Sequence, residues 1–106
     1  MDNKKIRQQE RRIKQIKKEL INLGPLRPGT LCKQYKDPKN KTGAFWQLSY
    51  TYQMKSRTEY VRQTNIKQIR NDLKEYKKLK KLIDEWINLS IEISKMKVKL
   101  LNQNPP

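Results

Sequence analysis

The chain contains no histidine and only one cysteine, Cys32. These absences exclude a zinc site of the usual kind, which needs several cysteine or histidine ligands, and an internal disulfide. No run of about 18 apolar residues is present, so a membrane-spanning helix is excluded. The N-terminal segment MDNKKIRQQERRIK lacks the apolar stretch of a signal peptide. We therefore expect a cytoplasmic protein with no membrane partner, no metal and no cofactor.

Acidic residues are also few, because 10 Asp and Glu stand against 26 Lys and Arg, for a net charge of +16. The carboxylates show no spacing typical of a catalytic pair, and no base of the usual kind accompanies Cys32. We therefore do not expect an enzyme. The charge favours a polyanionic partner, with DNA favoured over RNA and a nucleoid-associated location if DNA is bound. A basic surface that is merely solvated is the alternative.

Apolar residues make up only 34% of the 106-residue chain, which favours an elongated helical fold within a single domain, 1–106. Apolar periodicity predicts helices over 2–23 and 65–102, both with spacings near the coiled-coil value of about 3.5 residues. Gly24 and Pro25 end the first helix. We expect a mainly α fold with a small β-hairpin. Its two helices form an antiparallel coiled coil, with Leu23 near Ile66 and the hairpin inserted at the tip.

The segment between the helices holds every glycine and most of the aromatic residues. Residues 24–43 read as a Gly/Pro and basic loop, and residues 44–62 as a β-hairpin with a turn over 53–56. Alternation places Trp46, Leu48, Tyr50 and Tyr52 on one face of the first strand. Because two strands alone are marginal, the hairpin must pack on a helix, gain a third strand from residues 31–35, or pair with another chain.

The segments GPLRPGTLCKQY and WQLSYTYQMKSRTEYVR resemble a family of small uncharacterised prokaryotic proteins often found near mobile genetic elements. The resemblance implies a short helix, a Gly/Pro motif, a hairpin and a long C-terminal helix. Many members carry cysteines in the loop that corresponds to residues 36–43, but this chain has none there. A metal role is therefore not carried over.

A weaker likeness is to the three-stranded, arm-type DNA-binding domains of tyrosine recombinases. Those domains place a basic sheet with aromatic residues before a helix and insert the sheet in the major groove. The segment GAFWQLSYTYQMKSRTEYVR is similar to two such strands, and the likeness implies DNA binding through a sheet.

The predicted nucleic-acid interface combines basic side chains for phosphate contact with aromatic side chains for base stacking. We expect Arg27, Arg57 and Arg62 to make forked contacts to phosphates or guanine edges. The aromatic residues either stack on bases or pack against a helix. The full predicted set is Arg7, Arg11, Arg12, Arg27, Lys33, Lys36, Lys39, Lys41, Trp46, Tyr50, Tyr52, Lys55, Arg57, Arg62, Lys67 and Arg70.

The C-terminal end of the chain differs in charge, because residues 82–106 carry three basic and three acidic groups. A second apolar set at residues 87, 91, 98 and 101 widens the stripe of the long helix there. From about Trp86 onward we expect an apolar surface that the first helix leaves uncovered. That surface predicts a homodimer or, alternatively, an adaptor that docks a larger recombinase-like or transposase-like protein. The predicted interface residues are Trp86, Ile87, Ile91, Ile93, Met96 and Leu100.

Overall fold

The computed structural model describes residues 2–103 and contains two helices and a three-stranded antiparallel sheet. The predicted mainly α fold, with a short N-terminal and a long C-terminal helix, is confirmed. In chain order the elements are helix α1 (Asp2–Ile21), strands β1 (Thr30–Asp37), β2 (Thr42–Tyr52) and β3 (Lys55–Val61), a 3-10 turn (Gln63–Asn65), and helix α2 (Ile66–Gln103). Residues 1 and 104–106, which the predicted domain includes, lie outside the described residues.

The chain divides into two compact units. The first, called the helical unit, combines α1 with the part of α2 that starts at Leu79. The second, called the sheet unit, runs from Gly24 to Lys78 and contains the whole sheet and the start of α2. Each unit has its own buried apolar residues.

In the helical unit α1 runs antiparallel to the C-terminal part of α2. The Arg12 guanidinium donates through Nε and Nη2 to the two carboxylate oxygens of Glu85, at 2.7 and 2.8 Å. Lys97 Nζ lies 3.6 Å from Glu10 Oε1. The core of the unit is apolar and contains Ile6, Ile16, Leu82 and Ile93. The a/d pattern therefore predicted the buried face of α1 correctly.

The predicted register between the helices is wrong. Instead of lying along the turns that follow Ile66, α1 contacts α2 between Glu85 and Lys97. A heptad pattern permits several registers, because a shift by whole heptads again brings apolar positions together. The surface from Trp86 onward is consequently covered only in part: Ile93 is buried, whereas Ile87 and Ile91 remain exposed as expected.

The sheet has the order β1-β2-β3 with both pairs antiparallel. Residues 30–37, which the sequence analysis assigned to a loop, form strand β1 and pair along β2 from Thr30 opposite Ser49 to Asp37 opposite Thr42. The third-strand alternative for the hairpin is thus the one observed. The second turn is also tighter than predicted, because Tyr52 pairs directly with Lys55 and leaves only two residues between the strands.

One face of the sheet packs on the first turns of α2. Leu48 is fully buried and forms a cluster with Val61, Ile66 and Leu73. Burial of a leucine side chain contributes about 1.5–3 kcal/mol. A backbone hydrogen bond from Arg27 N to the Asp72 carbonyl oxygen, 3.0 Å, joins the segment before β1 to the same helix. These contacts leave the opposite face of the sheet available to other molecules.

Candidate nucleic-acid interface

The face of the sheet that does not pack on α2, called the open face here, is set by the strand register. Cross-strand partners lie on the same face, and side chains alternate along each strand. Since Leu48 points to the buried cluster, its neighbours along β2 point away from it. The open face consists of Thr30, Cys32, Gln34, Lys36, Gly43, Phe45, Gln47, Ser49, Thr51, Ser56, Thr58 and Tyr60.

No carboxylate lies on the open face, all of whose residues the structure describes. Apart from Lys36 and Cys32, its polar side chains are amides and hydroxyls, which bond base edges or phosphates without repelling them. With about 3.3 Å per residue, the 11 residues of β2 span about 33 Å, and three strands are about 10 Å wide. The B-DNA major groove is about 12 Å wide and admits elements of this size.

A basic turn lies at one end of the sheet. The turn between β1 and β2 carries Lys39 and Lys41, both exposed. It is shaped by Asp37, whose carboxylate accepts from the Asn40 side chain at 2.9 Å and from its backbone amide at 3.4 Å. At the other end the two-residue turn is uncharged, and the exposed Lys55 that follows it belongs to β3. Lys55 pairs with Tyr52 on the packing face, so only the first turn places positive side chains beyond an end of the open face.

The sheet unit carries 13 basic and 4 acidic residues, a net charge of +9. Its acidic side chains are engaged within the fold: Asp37 as just described, Glu59 with Arg27, Asp72 with Gln68, and Glu75 with the Gly24 amide. Within residues 24–78, which are fully described, Arg27–Glu59 is the only salt bridge. Most of the positive charge of this unit is consequently available to an external anion.

Arg27 itself does not have the free guanidinium that the sequence analysis expected. Its Nη2 donates to Glu59 Oε2 at 2.8 Å, and its guanidinium carbon lies 5.2 Å from the centre of the Tyr50 ring. The Tyr50 hydroxyl donates to the other Glu59 oxygen at 2.9 Å. The hydrogen bond from Arg27, and then that from Tyr50, lowers the pKa of Glu59. This arrangement holds the residues before β1 against the sheet.

Of the three predicted aromatic residues, two pack beside the apolar cluster and one is exposed. Trp46 and Tyr50 are half-buried beside the apolar cluster, and Arg70 lies 5.3 Å from the Trp46 ring centre. Of the alternatives for these two rings, packing against a helix is the one observed. Tyr52 extends beyond the cluster and is 60% exposed. Lys33, on the same face, has its Nζ 5.8 Å from the ring centre of Tyr35.

Two open-face aromatic residues, Phe45 and Tyr60, were not among the predicted site residues. Phe45 is half-buried, and Tyr60 is 68% exposed. The alternation along β2 already separated Phe45 from Trp46. The signal that identifies the outer face was also present, because Gln47, Ser49 and Thr51 share it with Phe45, whereas Leu48 does not.

The remaining predicted basic residues differ in their surroundings. In the helical unit, Arg12 is bound by Glu85, whose hydrogen bond raises the pKa of Arg12 while the pKa of Glu85 is lowered by the same contact. The guanidinium of Arg12 therefore binds the carboxylate of Glu85 instead of a phosphate. The side chains of Arg7, Arg11, Lys55, Arg57, Arg62 and Lys67 are exposed, and Lys67, Arg70 and Lys74 line a polar groove on α2.

A separate apolar surface lies on α2 in the helical unit. Ile83, Ile87 and Ile91 are 38%, 51% and 48% exposed. With Trp86, Ser90, Ser94 and Lys95 they line a groove of about 520 Å³. Of the predicted interface residues, Ile87 and Ile91 lie here, and Trp86 is half-buried with Lys17 Nζ 5.3 Å from its ring centre. Ile93 is buried, and Met96 and Leu100 are half-buried, so they do not share this exposure.

Among residues 2–103 no group of three or more Cys, Asp or Glu side chains lies close enough to hold a metal ion. Neither described helix is both long and apolar enough to cross a membrane. Comparisons with protein-family models, curated proteins and solved structures found no match to this chain. Inference about function therefore starts from the charge and shape of these surfaces.

Proposed function

We propose that the chain is a nucleic-acid-binding protein, with DNA as the favoured ligand, and that the open face is its contact surface. The observation that carries this proposal is the open face without a carboxylate, with a basic turn that carries Lys39 and Lys41 at one end. A surface of this kind attracts the phosphate backbone and presents neutral polar groups to the base edges in the groove.

Phosphate contacts and base contacts fall to different residues in this proposal. Lys36, Lys39 and Lys41 supply positive charge at one end of the sheet, and their contacts fix the position of the nucleic acid. Gln34 and Gln47 lie on the open face of adjacent strands. A glutamine amide reads the N6 and N7 groups of adenine in the major groove. Affinity for nucleic acid therefore depends mostly on the lysines, and discrimination between base sequences depends on the glutamines of the open face.

The proposal is tested by fluorescence anisotropy with labelled duplex DNA, single-stranded DNA and RNA at several salt concentrations. We expect binding to weaken steeply with salt. The double variant Lys39→Gln/Lys41→Gln removes two charges, and its log–log salt slope on duplex DNA is expected to fall by about 1.8, since each lost phosphate contact removes about 0.9.

The matched control is Lys97→Gln/Lys99→Gln, which removes the same charge from the neutral C-terminal part of the chain and lies outside the apolar stripe considered below. This control is expected to leave the salt slope nearly unchanged. Equal loss in both double variants would mean that binding follows net charge and that the sheet has no special part in it. Absence of binding even at low salt would overturn the proposal.

The biological setting of this activity rests on the resemblance noted in the sequence. Because the similar proteins are often found near mobile genetic elements, we propose an accessory or regulatory role in such an element. Chromosomal location of the coding gene beside a recombinase or transposase gene supports this role, and its consistent absence from such places counts against it.

A second proposal concerns the apolar stripe Ile83, Ile87, Ser90, Ile91, Ser94 and Val98, which we infer docks a second copy of the same helix. The stripe is symmetric about the point between Ser90 and Ile91. In an antiparallel pair centred there, Ile87 faces Ser94 of the copy, so a large side chain meets a small one. Asp84 comes beside Lys95 of the copy, which adds charge complementarity.

Sedimentation equilibrium over a range of concentrations tests this pairing. Ile91→Glu places two carboxylates together at the two-fold axis and is expected to abolish the dimer. Ile21→Glu is the control, because Ile21 is 81% exposed on α1 and does not belong to the stripe. A wild-type chain that stays monomeric at high concentration would reject the pairing and favour the adaptor alternative, in which the stripe docks a larger protein.

A further inference from the structure

The open face contains a cleft of about 440 Å³ whose lining includes Lys36, Gly43, Phe45 and Tyr60. The volume lies within the range of about 300–1,000 Å³ found for small-molecule sites. The cleft lies wholly on the sheet unit and opens on the side opposite the apolar cluster. Its two aromatic rings are therefore not required for the core.

The strand register gives the two aromatic residues a spacing that suits a flat molecule. Tyr60 is directly opposite Gln47 across β2 and β3. Phe45, two residues earlier on β2, is therefore the diagonal neighbour of Tyr60, and diagonal neighbours are about 7–8 Å apart. A stacked base occupies about 3.4 Å along the stack. Two rings on either side of one base are thus separated by about 7 Å.

The lysine of the cleft packs over the glycine opposite it, which has no side chain in that space. Gly43 has a φ of +68°, and a Cβ there would lie 3.0 to 3.3 Å from the Cβ, Cγ and Cδ atoms of Lys36. The stem of Lys36 consequently lies across Gly43 at the edge of the cleft. A positive charge beside two aromatic rings matches the phosphate and base of one nucleotide.

We propose that this cleft binds an unpaired nucleobase, by stacking on Phe45 and Tyr60 with the adjoining phosphate at Lys36. The inference rests on the proposed nucleic-acid binding and names its preferred ligand class, a strand with at least one base free of its partner. A base inside a duplex is stacked on both sides and does not present a ring to the cleft, whereas a bulged base does.

The test compares two labelled duplexes of equal length, one fully paired and one with a single bulged adenine. We expect the wild-type chain to bind the bulged duplex more tightly, by about fivefold to a hundredfold, which is the range for one stacked base. Tyr60→Leu is expected to lose most of that preference and to keep its affinity for the paired duplex. Tyr60→Phe keeps the ring and is expected to keep the preference.

Tyr52→Leu is the matched control, because Tyr52 is 60% exposed and Tyr60 68%, and the two lie on opposite faces of the same sheet. It is expected to leave both affinities unchanged. Equal effects of Tyr52→Leu and Tyr60→Leu on the bulged duplex, or no preference in the wild-type chain, would overturn the inference while duplex binding stands. Loss of binding to every oligonucleotide would instead reject the proposed function itself.

Discussion

The turn between β2 and β3 offers a direct test of how backbone strain acts in this fold. Its two central residues, Gln53 and Met54, have φ values of +52° and +64°. Positive φ at both positions is the signature of a type I′ turn, which matches the twist of the strands and usually contains Asn-Gly. Neither residue here is of a type that favours this conformation. We predict that Met54→Gly stabilises the sheet unit.

The magnitude follows from two opposing terms. A left-handed conformation costs a residue with a Cβ about 1–2 kcal/mol, and glycine does not incur this cost. Glycine loses more backbone entropy on folding, by about 0.5–1 kcal/mol. The Met54 side chain is 100% exposed, so its removal loses no packing. The net gain in the free energy of unfolding is expected to be about 0.5–1 kcal/mol.

Urea unfolding followed by tryptophan fluorescence measures this change. The chain has one tryptophan in each unit, so a Trp86→Phe background lets Trp46 report on the sheet unit alone. Met54→Ala removes the same side chain but keeps the strain, and it is expected to change stability by less than about 0.5 kcal/mol. If Met54→Gly were no more stable than Met54→Ala, the strain argument would be refuted.

Other substitutions test the core, the backbone and the acid response of the sheet unit. Leu48→Ala removes a fully buried side chain, and its unfolding free energy in urea is expected to fall by about 2.7–5 kcal/mol. Gly29→Ala places a Cβ 2.6 Å from a strand carbonyl oxygen at a φ of +129° and is expected to lower the melting temperature markedly. Gly24→Ala, whose Cβ would meet nothing within 4 Å, is expected to change it little. Arg27 lowers the pKa of Glu59 below its usual 4.5, so this contact stabilises the fold above that pH and is lost as pH falls through the lowered pKa; acid titration of Glu59→Gln is expected to show a flatter curve.

Most elements of this fold were predictable from the sequence because they have strong local patterns, whereas β1 was predicted to be part of a loop. The apolar periodicity of α1 and α2 and the run of strand-forming residues in β2 are local signals. The helix register was not predictable in this way. It depends on pairs that are distant in sequence, such as Arg12 with Glu85 and Glu10 with Lys97. A heptad pattern alone does not distinguish one such set of pairs from another.

The positions of the basic residues in the candidate site were predictable from the sequence. Which face of the sheet is exposed was harder to predict. Lys36, Lys39 and Lys41 were identified as basic residues around one turn, and they lie there. The choice between Trp46 and Phe45 as outward-facing rings required knowing which face meets α2. Alternation defines two faces but does not name the buried one. The polar residues beside Phe45 carried that information, whereas the number of aromatic residues beside Trp46 pointed the other way.

Arginine and lysine have different surroundings in this chain, and the difference indicates which residues determine affinity for nucleic acid and which determine specificity. Three arginines serve the fold itself: Arg12 forks onto Glu85, Arg27 bonds Glu59, and Arg70 lies over Trp46. The turn between β1 and β2 carries lysines, which act as point charges without a fixed fork. Phosphate contacts of that kind give affinity that falls with salt but carry no sequence information. Substitutions of the turn lysines are therefore expected to weaken binding to all nucleic acids alike. Substitutions of the uncharged open-face residues are expected to alter which nucleic acid is preferred and to leave the salt slope unchanged.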